Sequence, residues 1–228
     1  NPKIGSIYHA RVFHLNKNID TYCFVQDIAN FEIIKSTYQI FHNKKILDVC
    51  AAPGGKSILL NSLGFEVTAL DKSQEQINKM HENLKRLHLK IPTIKINFLN
   101  FNEGNKYSSI LLDSPCSSLG TFRRNPDVIY KINSKSLLAK QKLQIQLANK
   151  ALKILNKGGF LLYIVCSFHE IETIQVIDKL LQKHKNLSMV ELKSDKMIKN
   201  KNGYFINPKE FEELGGSDIF FISMLEKK

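Results

Sequence analysis

Hydrophobic residues from about residue 45 onward occur as short apolar runs that alternate with longer stretches of helical spacing. Short apolar runs bounded by polar or glycine residues indicate buried strands, whereas apolar positions three or four residues apart indicate amphipathic helices. The pattern predicts seven strands, at residues 44–50, 65–70, 92–96, 108–113, 160–166, 187–192 and 218–225. It predicts helices at residues 56–63, 73–88, 135–155 and 171–184.

This alternation predicts an α/β fold with a doubly wound, mostly parallel sheet of seven strands. Ligands of such sheets bind at the carboxyl ends of the strands, so the loops after the first, fourth and fifth strands are expected to open onto one edge. Residues 1–44 are less regular. Residues 21–27 are compatible with a strand, and the rest is expected to be a segment with one helix that leads into a domain at residues 45–228.

The length and composition restrict the class of protein. A chain of 228 residues is long enough for a single domain with one good core. The 43% hydrophobic and 24% charged residues are typical of a globular protein, and no run approaches the roughly 18 apolar residues of a membrane span. The start of the chain lacks a signal-peptide pattern, which favours a cytosolic enzyme, and we expect a monomer.

The charge balance favours a polyanionic partner. There are 33 Lys and Arg residues against 21 Asp and Glu residues, which gives a net charge of +12. Such an excess favours nucleic acid because phosphate neutralisation releases counterions. A genome biased towards Lys, Asn and Ile would produce the same excess, so charge alone leaves both interpretations open.

The cysteines do not predict a metal site. They form no CxxC pair and have no neighbouring pair of histidines, so no zinc site is expected. In a reducing cytosol they are expected to be free thiols, used either in packing or in chemistry. The four positions are Cys23, Cys50, Cys116 and Cys166.

The first candidate site is the sequence DVCAAPGGKS at residues 48–57. Two glycines between a strand and a helix allow a close approach of the backbone to a ligand, and the start of the helix offers free N–H groups. A phosphate-binding P-loop is the alternative, but its spacing requires glycine where Cys50 stands, and Pro53 removes a donor. Asp71, at the end of the second strand, is placed to bind ribose hydroxyls or to cap the next helix.

Two further loops carry thiols. Asp113, Pro115 and Cys116 leave the fourth strand in the sequence DSPCSSLGTFRRNPD, and Arg123 and Arg124 follow closely. Taken alone, Cys116 is interpreted as a thiol buried in the core, and two arginines in a loop are interpreted as solvent-exposed. The combination of carboxylate, thiol and paired cations is much rarer.

The fifth strand ends at Cys166 in the sequence VCSFHEIE. A helix that starts near Glu170 would place its amino end close to this thiol and lower its pKa. His169 is a weaker candidate for a general base, because a loop histidine is more often simply exposed.

In order and spacing, these three motifs resemble the RNA cytosine-5 methyltransferases of the RsmB/Nol1/Nop2/Sun family. The similarity extends from Val25-Gln26-Asp27 to GGSDIFF near the end, and CAAPGGK and ENLKRL resemble the bacterial branch that acts on small-subunit 16S ribosomal RNA. The resemblance implies a Rossmann-like class I fold that uses S-adenosylmethionine. It also implies that residues 1–44 are the remnant of a preceding RNA-binding region, which is otherwise missing from this sequence.

The resemblance further implies a role for each matched residue. Cys166 would attack carbon 6 of cytosine, Cys116 would assist product release, and Asp113 would lie beside both cofactor and base. Asp71 would hold the cofactor's ribose and Asn97 its adenine, while Arg123 and Arg124 are expected to contact RNA phosphates. The methionine part of the cofactor would be held by Cys50, Ala51, Ala52, Pro53, Gly54, Gly55 and Lys56.

The sequence departs from the family pattern at three places. Asn97 replaces the usual adenine-contacting Asp, and the alignment is also compatible with Asn100. Val165 replaces Thr before the last cysteine, and Ile219 replaces the Gly of a DGFF sequence. DNA cytosine-5 methyltransferases use the Pro-Cys thiol as nucleophile, so the presence of both thiols favours RNA. Transfer RNA as substrate, a non-catalytic RNA-binding module and a P-loop nucleotidase are the alternative functions.

Overall fold

The computed structural model describes residues 6–7, 24–41, 45–102 and 107–228, and its centre is a nine-stranded sheet. The helices are α1 (Ile28–Thr37), α2 (Gly55–Ser62), α3 (Gln74–Arg86), α4 (Ser134–Ile154) and α5 (Ile174–Lys183). The strands are β1 (Ser6–Ile7), β2 (Phe24–Val25), β3 (Lys45–Val49), β4 (Glu66–Asp71), β5 (Thr93–Lys95), β6 (Tyr107–Asp113), β7 (Leu155–Val165), β8 (Leu187–Val190), β9 (Met197–Asn200), β10 (Gly203–Ile206) and β11 (Phe221–Lys227).

The order of strands across the sheet is β5-β4-β3-β6-β7-β11-β10-β9, and β8 also pairs with β11. The five strands from β5 to β7 are parallel, and β11 joins them antiparallel to β7. The pairs of β11 with β8 and β10, and of β10 with β9, are also antiparallel. Strands β1 and β2 form a separate parallel pair. The predicted doubly wound, mostly parallel α/β fold is confirmed.

Two hydrophobic cores lie on opposite faces of the sheet. Because side chains alternate between the faces of a strand, Phe160, Leu162 and Ile164 of β7 join a core that contains apolar residues of α1, α2 and α3. Leu161 and Tyr163 of the same strand join a second core with apolar residues of α4 and α5. Continuous burial of β7 over residues 159–165 is the pattern expected of a central strand that is covered on both sides.

The seven predicted strands are all present, and the structure adds two more to the central sheet. Strands β9 and β10 form a hairpin at residues 197–206. This segment is rich in lysine and asparagine, and its longest apolar run is the three residues 204–206, so the apolar pattern did not reveal it. The last helix begins at Ile174 rather than near Glu170, because residues 170–173 form a turn.

The segment before residue 45 is described in part, and Cys23 lies outside the described residues. Its helix α1 buries Ala29, Ile33 and Ile34 in the core that α2 and α3 share, so this part packs as one body with the sheet. The division of the chain at residue 44 stays a prediction. No helix in the described part of the chain is long and apolar enough to cross a membrane.

Candidate active site

Three loops meet at the carboxyl ends of the central parallel strands. Since β3, β6 and β7 are neighbours in the sheet, the loops that follow them emerge side by side. The backbone N–H of Ser114, just after β6, donates to the carbonyl of Ile164 in β7 at 2.9 Å. After β3, the N–H of Ala51 donates to the carbonyl of Leu70 in β4 at 3.0 Å. The predicted convergence of the motifs on one edge is therefore observed.

The loop after β3 requires glycine where it approaches α3. Gly54 has a φ of 102°, in the left-handed region, and precedes the first turn of α2. A β-carbon at this position would lie 2.9 Å from Cγ of Met80, so a side chain would be both strained and obstructed. Glycine at this position therefore lets the loop pack against α3 before α2 begins.

A buried carboxyl group links the strand before this loop to the helix after it. Asp48 of β3 is buried and accepts a hydrogen bond from the Ser57 hydroxyl of α2 at 2.5 Å. Burial raises the pKa of Asp48 to about 7. The pKa of Cys50 is raised to about 12 by burial, followed by the nearby Asp71 carboxylate, so this thiol stays protonated and is no nucleophile.

Asp71 links the loops after β3 and β4. One carboxylate oxygen accepts the N–H of Ser73 at 2.8 Å, and the other accepts the N–H of Ala52 at 3.2 Å. The cap of α3 is Ser73, whose hydroxyl accepts the N–H of Gln76. Of the two roles that the sequence left open for Asp71, the capping of α3 therefore belongs to Ser73.

Asn97 is an exposed residue two positions beyond the end of β5. Its side-chain oxygen accepts the N–H of Leu99 at 3.1 Å and thereby starts a short 3-10 turn that ends at Asn100. Asn97 thus stands at the strand end, in line with Asp71 at the end of β4, whereas Asn100 lies one turn further on.

A buried ion pair connects the loops after β3 and β6. Nζ of Lys56 lies 2.7 Å from Oδ2 of Asp113, and the lysine side chain is almost fully buried. The same ammonium group lies 5.0 Å from the centre of the Phe220 ring, close enough for a cation–π interaction. Asp113 is held at the mouth of the site with about a third of its side chain exposed.

The two motif thiols are in contact. Sγ of Cys116, in the loop after β6, lies 3.3 Å from Sγ of Cys166, the residue that follows β7. Both are free and partly buried, as is Cys50. Fifty residues separate them in sequence, and the parallel pairing of β6 with β7 brings them together.

The two thiols differ in their ease of ionisation. The hydrogen bond with Cys116 lowers the pKa of Cys166, and burial opposes this effect. The Ser118 hydroxyl, 3.7 Å from Cys166 Sγ, and the Lys56 charge lower it further. The same hydrogen bond, together with burial, raises the pKa of Cys116 well above its usual range. The pair therefore ionises first at Cys166, while Cys116 stays a thiol, which agrees with the predicted direction for Cys166. The helix whose amino end was the expected cause begins only at Ile174, and the largest lowering influence is the hydrogen bond with Cys116.

Glu172 was missed by the sequence reasoning. This fully buried carboxylate accepts the N–H of Ser117 at 2.8 Å and the Ser167 hydroxyl at 2.8 Å, and it also accepts the Ser117 hydroxyl. It therefore binds the residue after each thiol. His169 uses Nδ1 to accept the N–H of Ile171 at 3.2 Å and so holds the turn.

Gly120 brings the arginine loop against the end of β7. Its N–H donates to the carbonyl of Cys166 at 2.9 Å, and its carbonyl accepts the N–H of Ile219 at 2.9 Å. A β-carbon at this glycine would lie 1.8 Å from the Ile219 carbonyl oxygen, so no side chain fits. The loop is thereby fixed between the Cys166 loop and the segment before β11.

Both predicted RNA-binding arginines are paired with carboxylates. Arg123 lies 3.0 Å from Asp27, and Arg124 Nε lies 2.7 Å from the fully buried carboxylate of Asp218. Burial, followed by the Asp27 charge, raises the pKa of Asp218, whereas the Arg124 hydrogen bond and both arginine charges act in the opposite direction. These pairs shape the loop, and phosphate contact by the two arginines stays a prediction.

Comparison with known proteins identifies the family. The model of the 16S rRNA methyltransferase RsmB/F family matches residues 37–226, which is most of the chain. The chain belongs to this family.

Two curated relatives of this RsmB/F family chain show the level of similarity. The ribosomal RNA small subunit methyltransferase B of Photorhabdus laumondii is 32% identical over 210 residues, which cover 90% of this chain and 47% of the relative. The probable ribosomal RNA small subunit methyltransferase B of Coxiella burnetii is 30% identical over 177 residues, which cover 74% and 41%. The chain thus spans less than half the length of these relatives.

A solved structure shows the same fold. NSun6 from Pyrococcus horikoshii, crystallised with SFG, an analogue of S-adenosylmethionine, superposes with a TM-score of 0.80 at 24% identity. The superposition covers 95% of this chain and 56% of that protein. At this level of identity the likeness establishes the shared fold alone.

The RsmB/F family uses S-adenosylmethionine as its cofactor, and the residues present fit such a group. Helix α2 begins at Gly55, directly after the loop that follows β3, and the N–H groups of its first turn have no partner within the helix. Asp71 keeps acceptor capacity beyond its two backbone bonds, since an ionised carboxylate has about four lone-pair positions.

Proposed function

We propose that this chain is the catalytic part of an RNA cytosine-5 methyltransferase that acts on small-subunit 16S ribosomal RNA in the cytoplasm. Membership of the RsmB/F family and the net charge of +12 support an RNA substrate. In this proposal residues 45–228 form the methyltransferase domain, and residues 1–44 lead into it from a preceding RNA-binding region. The protein acts as a monomer.

The observation that carries the proposal is the contact between the two thiols at 3.3 Å. Cytosine carbon 5 is too weak a nucleophile to accept a methyl group unaided. Addition of the Cys166 thiolate to carbon 6 makes carbon 5 electron-rich, and covalent catalysis of this kind divides one hard step into easier ones. The lowered pKa of Cys166 favours formation of this thiolate.

Product release requires a second group beside the adduct. S-adenosylmethionine supplies the methyl group from its sulfonium centre, and carbon 5 then carries a proton that must leave before the bond between Cys166 Sγ and carbon 6 breaks. Cys116 is in contact with Cys166 and is therefore placed to assist this release. Asp113, fixed by Lys56, lies at the same mouth and is assigned to the target base and the cofactor.

The cofactor residues keep the roles that the family resemblance implies. The loop from Cys50 to Lys56 holds the methionine part, Asp71 the ribose and Asn97 the adenine. Support comes from their positions at the ends of β3, β4 and β5, which are adjacent strands of the sheet. Ligands of doubly wound sheets lie across such an edge.

Exposed aromatic side chains near the thiols support a substrate with unpaired bases. Phe168, which is 46% exposed, follows Cys166 by two residues, and Phe122, which is 48% exposed, follows Gly120 by two. Aromatic faces stack on unstacked bases of single-stranded RNA. A base must be turned out of its stack to reach the thiol, so such surfaces offset part of the cost of unstacking.

The test of the proposal is methyl transfer from S-adenosylmethionine to defined fragments of 16S ribosomal RNA, with bisulfite sequencing to locate 5-methylcytosine. Methylation of transfer RNA instead would support the alternative substrate. Binding of RNA without methyl transfer would support a non-catalytic module. Calorimetry with S-adenosylmethionine and with ATP separates the nucleotidase alternative, because only S-adenosylmethionine is expected to bind.

Replacing Asp71 with Ala is expected to weaken S-adenosylmethionine binding by about 1.5–3 kcal/mol, the scale of hydrogen bonds to a charged group. Calorimetric titration measures this loss. Ser73→Ala is the matched control, because it removes the cap of α3 and leaves the Asp71 carboxylate in place. Equal affinities for Asp71→Ala and the wild type, with lost helicity, would leave Asp71 with a structural role only.

Replacing both Arg123 and Arg124 with Ala is expected to weaken binding of unrelated RNAs alike. Each phosphate neutralised on a single strand contributes about 0.7 to the slope of log affinity against log salt. The double variant should reduce this slope by about 1–2. Arg124 is 54% exposed and donates Nε to Asp218, which leaves its outer nitrogens towards solvent.

The matched control for this pair is Lys153→Ala with Lys183→Ala. These exposed lysines end α4 and α5, at the opposite edge of the sheet from the thiols. A slope that stays fixed while activity disappears would assign the arginines to the shaping of the loop, through Asp27 and Asp218, rather than to phosphate.

A further inference from the structure

We propose that Glu172 is a positioning residue, which clamps the two thiol-bearing loops in register so that Cys166 is presented as the nucleophile with Cys116 beside it. The inference rests on the proposed function for its catalytic consequence. Its structural basis is independent of the identity of the substrate.

The two loops repeat the same local arrangement. Each thiol is followed directly by a serine, Ser117 after Cys116 and Ser167 after Cys166. Both hydroxyls donate to the same carboxylate oxygen of Glu172, and they lie 3.3 Å from each other. Since each serine is one residue from its thiol, the carboxylate fixes the separation of the two sulfurs.

Glu172 is itself rigidly held. Its other oxygen accepts the Ser117 N–H and, at 3.2 Å, the side-chain amide of Gln144 in α4. The Gln144 amide also donates to the carbonyl of Pro115 at 3.1 Å. The backbone carbonyl of Glu172 accepts the buried Tyr163 hydroxyl at 2.7 Å. A fully buried carboxylate with four donors needs no further partner, so its place is determined by the fold.

The charge of Glu172 acts on the two thiols unequally. After the hydrogen bond with Cys166 and burial, the Glu172 charge is among the influences that raise the pKa of Cys116. Cys166 faces a different set of charges, Asp113 and Lys56, which oppose each other. The carboxylate thus helps to keep Cys116 as the proton donor of the pair and Cys166 as the acceptor.

The experiment compares thiol reactivity in the intact chain without RNA or cofactor. Alkylation with iodoacetamide over a range of pH, followed by peptide mass spectrometry, gives separate rates for Cys116 and Cys166. In the wild type Cys166 should react faster than Cys116 near neutral pH. In Glu172→Gln, which keeps the shape and removes the charge, this preference should fall by about tenfold, the effect of a change of one pKa unit.

Two further variants complete the comparison. Glu170→Gln is the matched control, since Glu170 lies in the same turn but is exposed, and it should behave as the wild type. Ser117→Ala with Ser167→Ala removes both hydroxyl donors and leaves the carboxylate, so it should also reduce the preference for Cys166. This pair carries the test if Glu172→Gln does not fold.

The outcomes separate this inference from the proposed function. An unchanged reactivity ratio in both Glu172→Gln and the serine pair overturns the positioning role, whatever the methylation assay gives. A reduced ratio in an enzyme that methylates RNA should accompany a lower kcat with unchanged S-adenosylmethionine affinity. A reduced ratio in a chain that transfers no methyl group would support the clamp and contradict the proposed function.

Discussion

Replacing Cys166 with Ala is expected to abolish methyl transfer, by at least about a thousandfold, because loss of the nucleophile closes the covalent route. S-adenosylmethionine should still bind nearly as it does to the wild type, since the assigned cofactor residues lie at the ends of β3, β4 and β5. Transfer of a labelled methyl group to RNA measures the first effect, and calorimetry measures the second.

Cys166→Ser is the control for packing at this position. It restores most of the volume and the hydrogen-bonding capacity, but a hydroxyl is far less acidic than a thiol, so it should be inactive as well. Substantial methyl transfer by either variant would exclude Cys166 as the attacking group, and would leave Cys116 as the candidate.

Replacing Cys116 with Ala should instead accumulate a covalent complex of protein and RNA. In this variant attack by Cys166 and methyl transfer proceed, whereas elimination is no longer assisted. The complex would be seen as a species that resists denaturing electrophoresis and whose mass equals that of the protein plus the methylated RNA. Turnover should fall to a single round.

The double variant Cys116→Ala with Cys166→Ala controls for adventitious cross-linking and should form no complex. The reverse pattern, normal turnover without Cys116 and trapped RNA without Cys166, would exchange the two roles. Because the two sulfurs are 3.3 Å apart, position alone does not distinguish them, and the assignment depends on their unequal acidity.

The fold was predictable where burial follows local apolar pattern. Strands such as β6 and β7 contain continuous apolar runs, at residues 110–112 and 160–166, and their positions followed from the sequence alone. The β9–β10 hairpin was not predictable in this way, because Lys199 and Lys201 leave only the short apolar run at residues 204–206, and β10 is stabilised by pairing with β11. Its existence depends on contacts made across the sheet.

The motif residues of the site were predictable from the sequence, but the hydrogen bonds that join their loops were not. Motif spacing placed Cys116, Cys166 and Asp113 at one edge, since parallel strands end together. The sequence did not identify Glu172, because a glutamate at the start of an amphipathic helix is normally exposed. Its buried carboxylate is bound by Ser117 and Gln144, which are 55 and 28 residues away in the chain. Only the tertiary structure distinguishes it from Glu170.

The arginine pair illustrates the same limit. Arg123 and Arg124 looked like solvated loop cations, and their partners come from both ends of the described chain. Asp27 starts α1, and Asp218 precedes β11. No local pattern could have indicated that carboxylates 191 residues apart would share one loop.

That shared loop sets the limits for any shortened version of the chain. The Asp27 carboxylate accepts the N–H of Asp218 as well as pairing with Arg123, so the first described helix and the segment before the last strand are held together at the loop that carries Arg123. A truncation that starts after Asp27, or one that stops before Asp218, removes one of the two carboxylates that pair with Arg123 and Arg124. The residues of the three motifs stay in place. Fragments designed for crystallisation or assay should therefore be trimmed outside these two aspartates, even though neither belongs to the catalytic motifs.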